Sequence, residues 1–321
     1  MKRLGLPVPD GFTITTEACI DYLKQNEQLP TEVKTQLIHH LTSFSERTGK
    51  SFSSDEDLLL VSVRSGAKIS MPGMMDTILN LGLNDDNVKK LADKTNDARF
   101  AYDCYRRLLQ MFGEVVYGIP MLAFDTYFDD FKNKYNYKND ADIPADGLQT
   151  ICERFKEIYR EEVYKPFPQE PLKQLEEAIE AVFKSWDNDR ARVYRELNDI
   201  SHDIGTAVNV QEMVFGNSGE QSGTGVAFTR NPVTGDNQLF GEYLLNAQGE
   251  DVVAGIRTPQ DIDTLKAQMP EVHQEFVEVT KQLETHYKDM QDIEFTIENG
   301  KLYLLQTRNG CLLYTSPSPR D

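Results

Sequence analysis

Between Leu58 and Val63 the chain reads Leu-Leu-Leu-Val-Ser-Val, a short apolar, β-leaning run that predicts a buried strand. It ends in Arg64-Ser65-Gly66-Ala67-Lys68, which predicts a loop receiving polar groups from that strand, and a second loop follows at Ser70–Met75. Upstream, Phe12-Thr13-Ile14-Thr15 is apolar and a helical pattern opens near Thr16. From Asn84 to about Trp186 the period turns helical. Val88, Leu91, Ala92, Thr95, Tyr102, Tyr105, Leu109 and Phe112 share a first stripe; Leu148, Ile151, Phe155, Ile158 and Tyr159 a second; Leu172, Leu175, Ile179, Val182 and Phe183 a third. Three helices are expected there, with a polar, irregular stretch from Tyr127 to Asp142. After Asp199 the pattern returns to strands at 207–215, 224–229, 239–245, 292–297 and 302–306, interrupted by one helix marked by Val272, Phe276, Val279, Leu283 and Tyr287. No internal repeat is visible. Residues 311–321 change abruptly to a Ser-Pro stretch without periodicity, as an expression scar, an assembly artefact or a disordered tail does.

Composition narrows the function classes. A chain of 321 residues allows about two domains of ordinary size, and its 39% apolar and 27% charged residues fit a globular protein. The formal net charge of −18 repels a phosphate backbone over most of the surface, so no nucleic-acid partner is expected. No apolar run approaches the ~20 residues of a membrane helix. Met1-Lys2-Arg3-Leu4-Gly5 carries no signal-peptide apolar core, so a cytoplasmic protein without membrane contact is expected. Cys19, Cys104, Cys152 and Cys311 are scattered, and the five histidines never pair at i, i+4, so neither a zinc nor a disulfide pattern arises.

Four constellations carry candidate chemistry. Gly216-Asn217-Ser218-Gly219-Glu220-Gln221-Ser222-Gly223-Thr224-Gly225 joins two expected strands. Its glycines, Gly223 and Gly225 among them, let backbone N–H groups approach a polyanion, and Ser222 and Thr224 add hydroxyl donors. A mobile hairpin connection is the plainer reading. In the segment 292–308, Ile293, Phe295 and Ile297 share one strand face, so Asp292 and Glu294 share the other. An odd-length turn with Gly300 in the left-handed position puts Tyr303 and Leu305 on the apolar face, and Gln306 and Arg308 beside the carboxylates. A two-residue Asn-Gly turn sends Gln306 to the core side at about 1 to 3 kcal/mol for an unpaired amide, so the odd turn is expected. Two carboxylates, an amide oxygen and a guanidinium suit a Mg²⁺ bridging phosphates; a solvated face with an Asp–Arg ion pair is the alternative. Arg64, at the end of a buried strand beside Ser65 and Gly66, suits anion binding or a structural pairing with an acid. Glu250-Asp251, after Asn246-Ala247-Gln248-Gly249, serves ribose or metal, or caps the following turn.

At these residues the chain resembles the nucleotide-binding domain of the pyruvate, phosphate dikinase family, which are ATP-grasp enzymes. The stretches that carry the resemblance are 5–16, Ser62–Ala67 through Met71-Pro72-Gly73-Met74-Met75-Asp76-Thr77, 222–232, 246–253 and the last hairpin, together about residues 4 to 310. The resemblance implies an α+β fold of two ATP-grasp subdomains closing over ATP. Residues 1–83 are the first, N-terminally truncated; 84–198 a helical insertion; 199–310 the second with the metal-site hairpin; 311–321 an unrelated or artefactual tail. It implies that Arg64 and Arg308 bind phosphate as catalytic groups and that Glu294 and Gln306 hold Mg²⁺ with Asp292 nearby. Gly73, Thr224 and Gly225 then lie on loops covering the polyphosphate, with adenine against the strand around Gln211 to Val214, Met213 included. In the family, ATP, phosphate and pyruvate become AMP, pyrophosphate and phosphoenolpyruvate through a phosphohistidine on a separate domain, and the whole enzyme is expected to be a homodimer. Positioning and charge neutralisation dominate phosphoryl transfer, which places the weight on the Arg and metal groups.

The departures are equally specific. A glycine-rich segment with a phosphate-binding lysine lies upstream of Gly5 in the family, no Thr-His-Ala phosphohistidine motif occurs here, and after Gly310 the family's basic run is replaced. A fragment truncated at both ends is therefore expected, one that binds MgATP weakly and catalyses no net dikinase reaction. A pyruvate, water dikinase or an antibiotic-phosphorylating relative is the rival enzyme class, against which the 71–77 segment speaks. A non-catalytic nucleotide-binding module is the rival outside enzymes.

Overall fold

The computed structural model describes residues 1–310 apart from 26, 56, 72 and 254–256. The expected tail at 311–321 lies outside the described residues. The chain folds into two compact units, one formed by Asp10–Met213 and the other by Met1–Pro9 with the chain from Val214 onward.

The first unit is built on a four-stranded antiparallel sheet in the order β1-β4-β2-β3, with β1 at Gly11–Ile14, β2 at Val61–Ala67, β3 at Thr77–Leu81 and β4 at Thr206–Glu212. Leu59, Leu60, Val61 and Val63 are buried as the apolar run requires. The strand does not stop there, however. Pairing with β4 continues through Arg64↔Asn209 to Ala67↔Thr206, so Arg64-Ser65-Gly66 is half-buried strand and not the expected loop.

Around this sheet lie α1 (Thr16–Lys24), α2 (Thr31–Thr48), α3 (Asn87–Thr95), α4 (Ala98–Tyr117), α5 (Met121–Tyr135), α6 (Ala145–Glu162), α7 (Pro171–Ser185) and α8 (Asp189–Leu197). The first expected helical stripe is two helices. Asn96 takes left-handed backbone (φ 51°), ending α3, and the Asp97 carboxylate accepts from the Phe100 N–H to start α4. The stretch expected to be irregular from Tyr127 is largely α5, whose Phe124, Phe128 and Phe131 recur at i, i+4, i+7 and are buried. Aromatic packing ties α5 to α6, with the Phe124 and Phe155 ring centroids 4.9 Å apart.

The helices from α3 to α8 pack within the same unit as the sheet. Because β4 pairs with both β1 and β2, the boundary falls after Met213, not between 198 and 199, and residues 1–9 go with the second unit.

The second unit carries a five-stranded antiparallel sheet in the order β7-β6-β5-β8-β9: β5 at Gly223–Phe228, β6 at Phe240–Leu245, β7 at Gln260–Asp261, β8 at Gln291–Glu298 and β9 at Lys301–Asn309. Short helices α9 (Gly249–Val253) and α10 (Leu265–Gln268) precede α11 (Pro270–Tyr287). Val272, Phe276, Val279 and Leu283 of α11 cover one sheet face, with Phe276 and Phe295 centroids 4.6 Å apart, while the expected fifth stripe residue, Tyr287, is exposed. Full burial of a side chain the size of Phe276 stabilises by about 1.5–3 kcal/mol. Two antiparallel sheets with segregated helices make the class α+β.

Candidate functional site

The β8–β9 hairpin turns on two residues, not three. Glu298 pairs with Lys301, and Asn299 (φ 49°) and Gly300 (φ 74°) both take left-handed backbone, as a type I′ turn requires. Leu302 and Leu304 therefore join Ile293, Phe295 and Ile297 in the core, in place of the expected Tyr303 and Leu305, which are half-buried. The parity expected from an odd turn comes instead from a β-bulge. Phe295 faces Leu304 while Glu294 faces Gln306, leaving Leu305 as an extra residue. Past it the strand's faces are exchanged, so Gln306 stands opposite Glu294 and Arg308 opposite Asp292.

On this face Arg308 donates through Nε to Asp292 Oδ2 at 2.8 Å and through Nη2 to Glu294 Oε1 at 3.2 Å. The three side chains are 27%, 21% and 33% exposed, open enough to meet a ligand and closed enough to strengthen a charge-assisted bond. Register adds a group that the sequence reading passed over. Val226 pairs with both Glu294 and Glu242, so Glu242 of β6 belongs to the same face. Its signal was the alternation in β6, where Gly241, Tyr243 and Leu244 are buried and Phe240 and Glu242 exposed.

Among the described residues no three His, Cys, Asp or Glu side chains converge as a cation cluster. The oxygen donors here are two carboxylates and the Gln306 amide. That set matches what Mg²⁺ takes from proteins, one or two carboxylates with water and phosphate oxygens completing the shell. Arg308 bonds to both carboxylates, so a cation and the guanidinium compete for the same oxygens.

The glycine-rich segment divides. Gly223, Thr224 and Gly225 lie in β5 and not on a covering loop. Thr224 is 3% exposed and its hydroxyl donates to the Phe295 carbonyl at 3.0 Å. A Cβ on Gly225 would sit 2.3 Å from the Glu242 carbonyl oxygen, so close strand packing accounts for that glycine. The loop proper, residues 213–222, is tied down. Ser222 Oγ accepts from the Asn299 N–H at 3.0 Å and lies 2.9 Å from Ser218 Oγ, the Gly300 N–H donates to the Gln221 carbonyl, and the Ala247 N–H to the Gly216 carbonyl. In α9 the Asp251 carboxylate accepts from the Gln248 N–H at 2.9 Å, the capping arrangement, while the side chain of Glu250 lies outside the described residues.

In the unit of residues 10–213, Arg64 Nη2 donates to Gln211 Oε1 at 2.9 Å, joining two of the expected site residues across β2 and β4. Met213 lies one residue past β4, its N–H donating to the Leu60 carbonyl at 2.9 Å. Gly73, in left-handed backbone (φ 70°), sits in the connection between β2 and β3, of which residue 72 lies outside the described residues. Burial raises the Asp76 carboxyl of this connection above its ordinary value, against the pull of its ion-pair partner Arg190.

A profile of the "Pyruvate phosphate dikinase, AMP/ATP-binding domain" matches residues 25–278 and 270–315. The chain is 56% identical over 311 residues to a pyruvate, phosphate dikinase of Clostridium symbiosum, covering 97% of this chain and 36% of that one. It is 53% identical over 310 residues to the chloroplastic pyruvate, phosphate dikinase 1 of Arabidopsis thaliana (97% and 32%) and 53% over 315 residues to that of Giardia intestinalis (97% and 36%). It thus spans about a third of the length of these curated relatives. With the match running through both units and their two antiparallel sheets, the chain belongs to the pyruvate phosphate dikinase AMP/ATP-binding domain family, of ATP-grasp-like α+β architecture.

Proposed function

We propose that this chain is the nucleotide-binding part of a pyruvate, phosphate dikinase and binds MgATP. Glu294 and Gln306 hold Mg²⁺, with Asp292 beside them, and Arg308 and Arg64 neutralise phosphate charge. Gly73 and the loop ahead of Ser222 and Gly223 approach the polyphosphate through backbone, Thr224 and Gly225 supporting that loop from β5. Gln211 and Met213 border the base, and Glu250 and Asp251 lie near the ribose. The observation that carries the reading is the cross-strand set of Asp292, Glu294, Gln306 and Arg308 on one sheet face, brought together by the bulge at Leu305. In the whole protein the bound nucleotide serves the conversion of ATP, phosphate and pyruvate into AMP, pyrophosphate and phosphoenolpyruvate by way of a phosphohistidine on another domain, in a homodimeric cytoplasmic enzyme.

When bound, Mg²⁺ supplies charge neutralisation and orientation at the phosphates. The protein's own contribution is to supply oxygens at fixed spacing and a guanidinium able to leave Glu294 for a phosphate oxygen without leaving the sheet face. Titration calorimetry of the 321-residue chain with ATP, with and without Mg²⁺, tests this. Expected is Mg²⁺-dependent binding that Glu294→Ala and Arg308→Ala each weaken at least about tenfold, as loss of a charge-assisted contact does, with circular dichroism unchanged. Binding indifferent to Mg²⁺ and to both substitutions overturns the reading.

A further inference from the structure

Three side chains from the end of α7 and the start of α8 reach the connection that carries Gly73. Asn188 Nδ2 donates to the Met74 carbonyl at 3.2 Å, Ser185 Oγ lies 3.5 Å from the Asp76 N–H, and Arg190 pairs with the Asp76 carboxylate. Asn188 differs from the other two because its amide has two separate duties. Its Oδ1 accepts from the Ala191 N–H at 2.7 Å, which makes it the N-cap of α8. That bond fixes which end of the amide is oxygen, so the end facing Met74 is the NH₂ donor.

A cap needs only an acceptor, and Asp or Ser supplies one about as well as Asn. The donor end therefore has a use that helix capping does not explain. We propose that Asn188 is a positioning residue for the nucleotide site, holding the Met74 carbonyl so that the left-handed turn at Gly73 presents its backbone to phosphate. The inference rests on the reading of this chain as a MgATP-binding domain. The same contact and the Arg190–Asp76 ion pair join the connection to the start of α8.

The substitution Asn188→Asp separates the two duties, since it keeps the capping acceptor and removes the donor; Asn188→Ser keeps the acceptor without adding a charge, and its hydroxyl sits one bond short of the place from which the amide nitrogen reaches Met74. The 321-residue chain is titrated with MgATP, and backbone hydrogen exchange is followed in the peptides covering 71–79 and 187–197. Expected in both variants are unchanged exchange in α8, faster exchange in 71–79, and MgATP binding weakened about threefold to tenfold, the loss of one hydrogen bond's net contribution. Gly73→Ala, strained at its positive φ, is the control. If it weakens binding while Asn188→Asp and Asn188→Ser bind and exchange as the parent does, Asn188 is a helix cap only and the inference fails. If Gly73→Ala leaves binding unchanged as well, the phosphate role of this connection fails and the inference falls with it.

Discussion

Arg308 and Asp292 stand opposite one another across the β8–β9 ladder and are joined by an Nε···Oδ2 hydrogen bond of 2.8 Å. Neither side chain is deeply buried, so the pair contributes about 0–1 kcal/mol to folding. Arg308→Lys is therefore expected to leave the melting temperature within a few degrees of the parent. Lysine keeps the charge but cannot bond two carboxylates, or a carboxylate and a phosphate, from one planar group. The expected outcome is an intact thermal transition with MgATP affinity well below that of the parent, read by calorimetry on the same sample. Parent-like affinity would show that only the charge matters.

Leu305 is the extra residue of the bulge in β9. Deleting it removes the bulge and leaves a regular ladder in which Gln306 follows Leu304 directly, still opposite Glu294, with Arg308 still opposite Asp292 and Leu302 and Leu304 in their places. MgATP binding is expected to survive this deletion, because the four site side chains keep one face. Asn299→Gly, which satisfies the left-handed turn position, leaves binding intact, whereas Asn299→Ala costs about 1–2 kcal/mol of stability because alanine resists positive φ. Binding lost on the deletion, with the fold intact, would mean that the bulge's own geometry, and not only the face it presents, shapes the site.

The same hairpin shows how far sequence reasoning reaches. Alternation in β8 is plain because Ile293, Phe295 and Ile297 have no competing apolar neighbours, and the face bearing Asp292 and Glu294 follows directly. In β9 the run Leu302-Tyr303-Leu304-Leu305 is apolar throughout, so period two carries no information and the turn must set parity. The two-residue turn and the bulge each shift parity by one and cancel, which places Gln306 and Arg308 on the expected face by a different route. A bulge leaves no local signature in such a run. The helices were legible where stripes are wide, as in α7 and α11, whereas in α5 the pairs Asp129-Asp130 and Lys132-Asn133 mask Phe124, Phe128 and Phe131. Membership of β4 in the first sheet depends on pairing between residues some 150 apart, as in Ser62↔Gln211, and no window along the chain displays it.

Asp103 is enclosed in α4 by two guanidinium groups, Arg106 through Nη2 at 2.8 Å and Arg107 through Nε at 3.1 Å, and both Asp103 and Arg106 are buried. Burial alone raises its pKa; the two arginines outweigh burial and hold it well below the usual carboxylate range. A depressed folded-state value means that the stabilisation is complete above the ordinary value of about 4 and is lost as pH falls toward the folded one. Asp103→Asn leaves Arg106 buried without its counter-ion and is expected to cost about 3–5 kcal/mol at neutral pH by urea unfolding. The deficit should narrow between about pH 4 and pH 2, where the parent loses the same interaction. A deficit that does not change with pH would assign the loss to packing.

Cys19, Cys104 and Cys152 are at most 1% exposed, and all belong to the unit of residues 10–213. Burial pushes the Cys19 thiol up to about 11 and the Cys152 thiol up as well, so little thiolate forms near neutrality. In a Cys311→Ser chain, iodoacetamide at pH 8 is expected to label these three at least about a hundredfold more slowly than in urea, since only the exposed thiolate reacts. Mass spectrometry of the peptides gives each rate. Rapid native labelling of Cys152 but not Cys19 would show α6 opening on its own.

Arg195 is fully buried, stacked on Trp186 with its guanidinium carbon 4.1 Å from the ring centroid, and its Nε–H donates to His202 Nδ1 at 2.9 Å. The Trp186 indole N–H donates to the His202 carbonyl at 2.9 Å, so one residue receives both ends of the stack. Such a contact requires an unprotonated Nδ1 as acceptor. His202→Ala strips the acceptor from a buried charged donor and is expected to cost about 1–3 kcal/mol. His202→Asn places Oδ1 where Nδ1 stood and should recover most of that loss. Trp186 is the single tryptophan of the chain, so its emission during urea unfolding reports from within this cluster. If the Asn and Ala variants unfold at the same urea concentration, the imidazole contributes through packing and not as an acceptor; if Asn lies close to the parent, the hydrogen bond to Arg195 is what holds α8 against the turn that leads into β4.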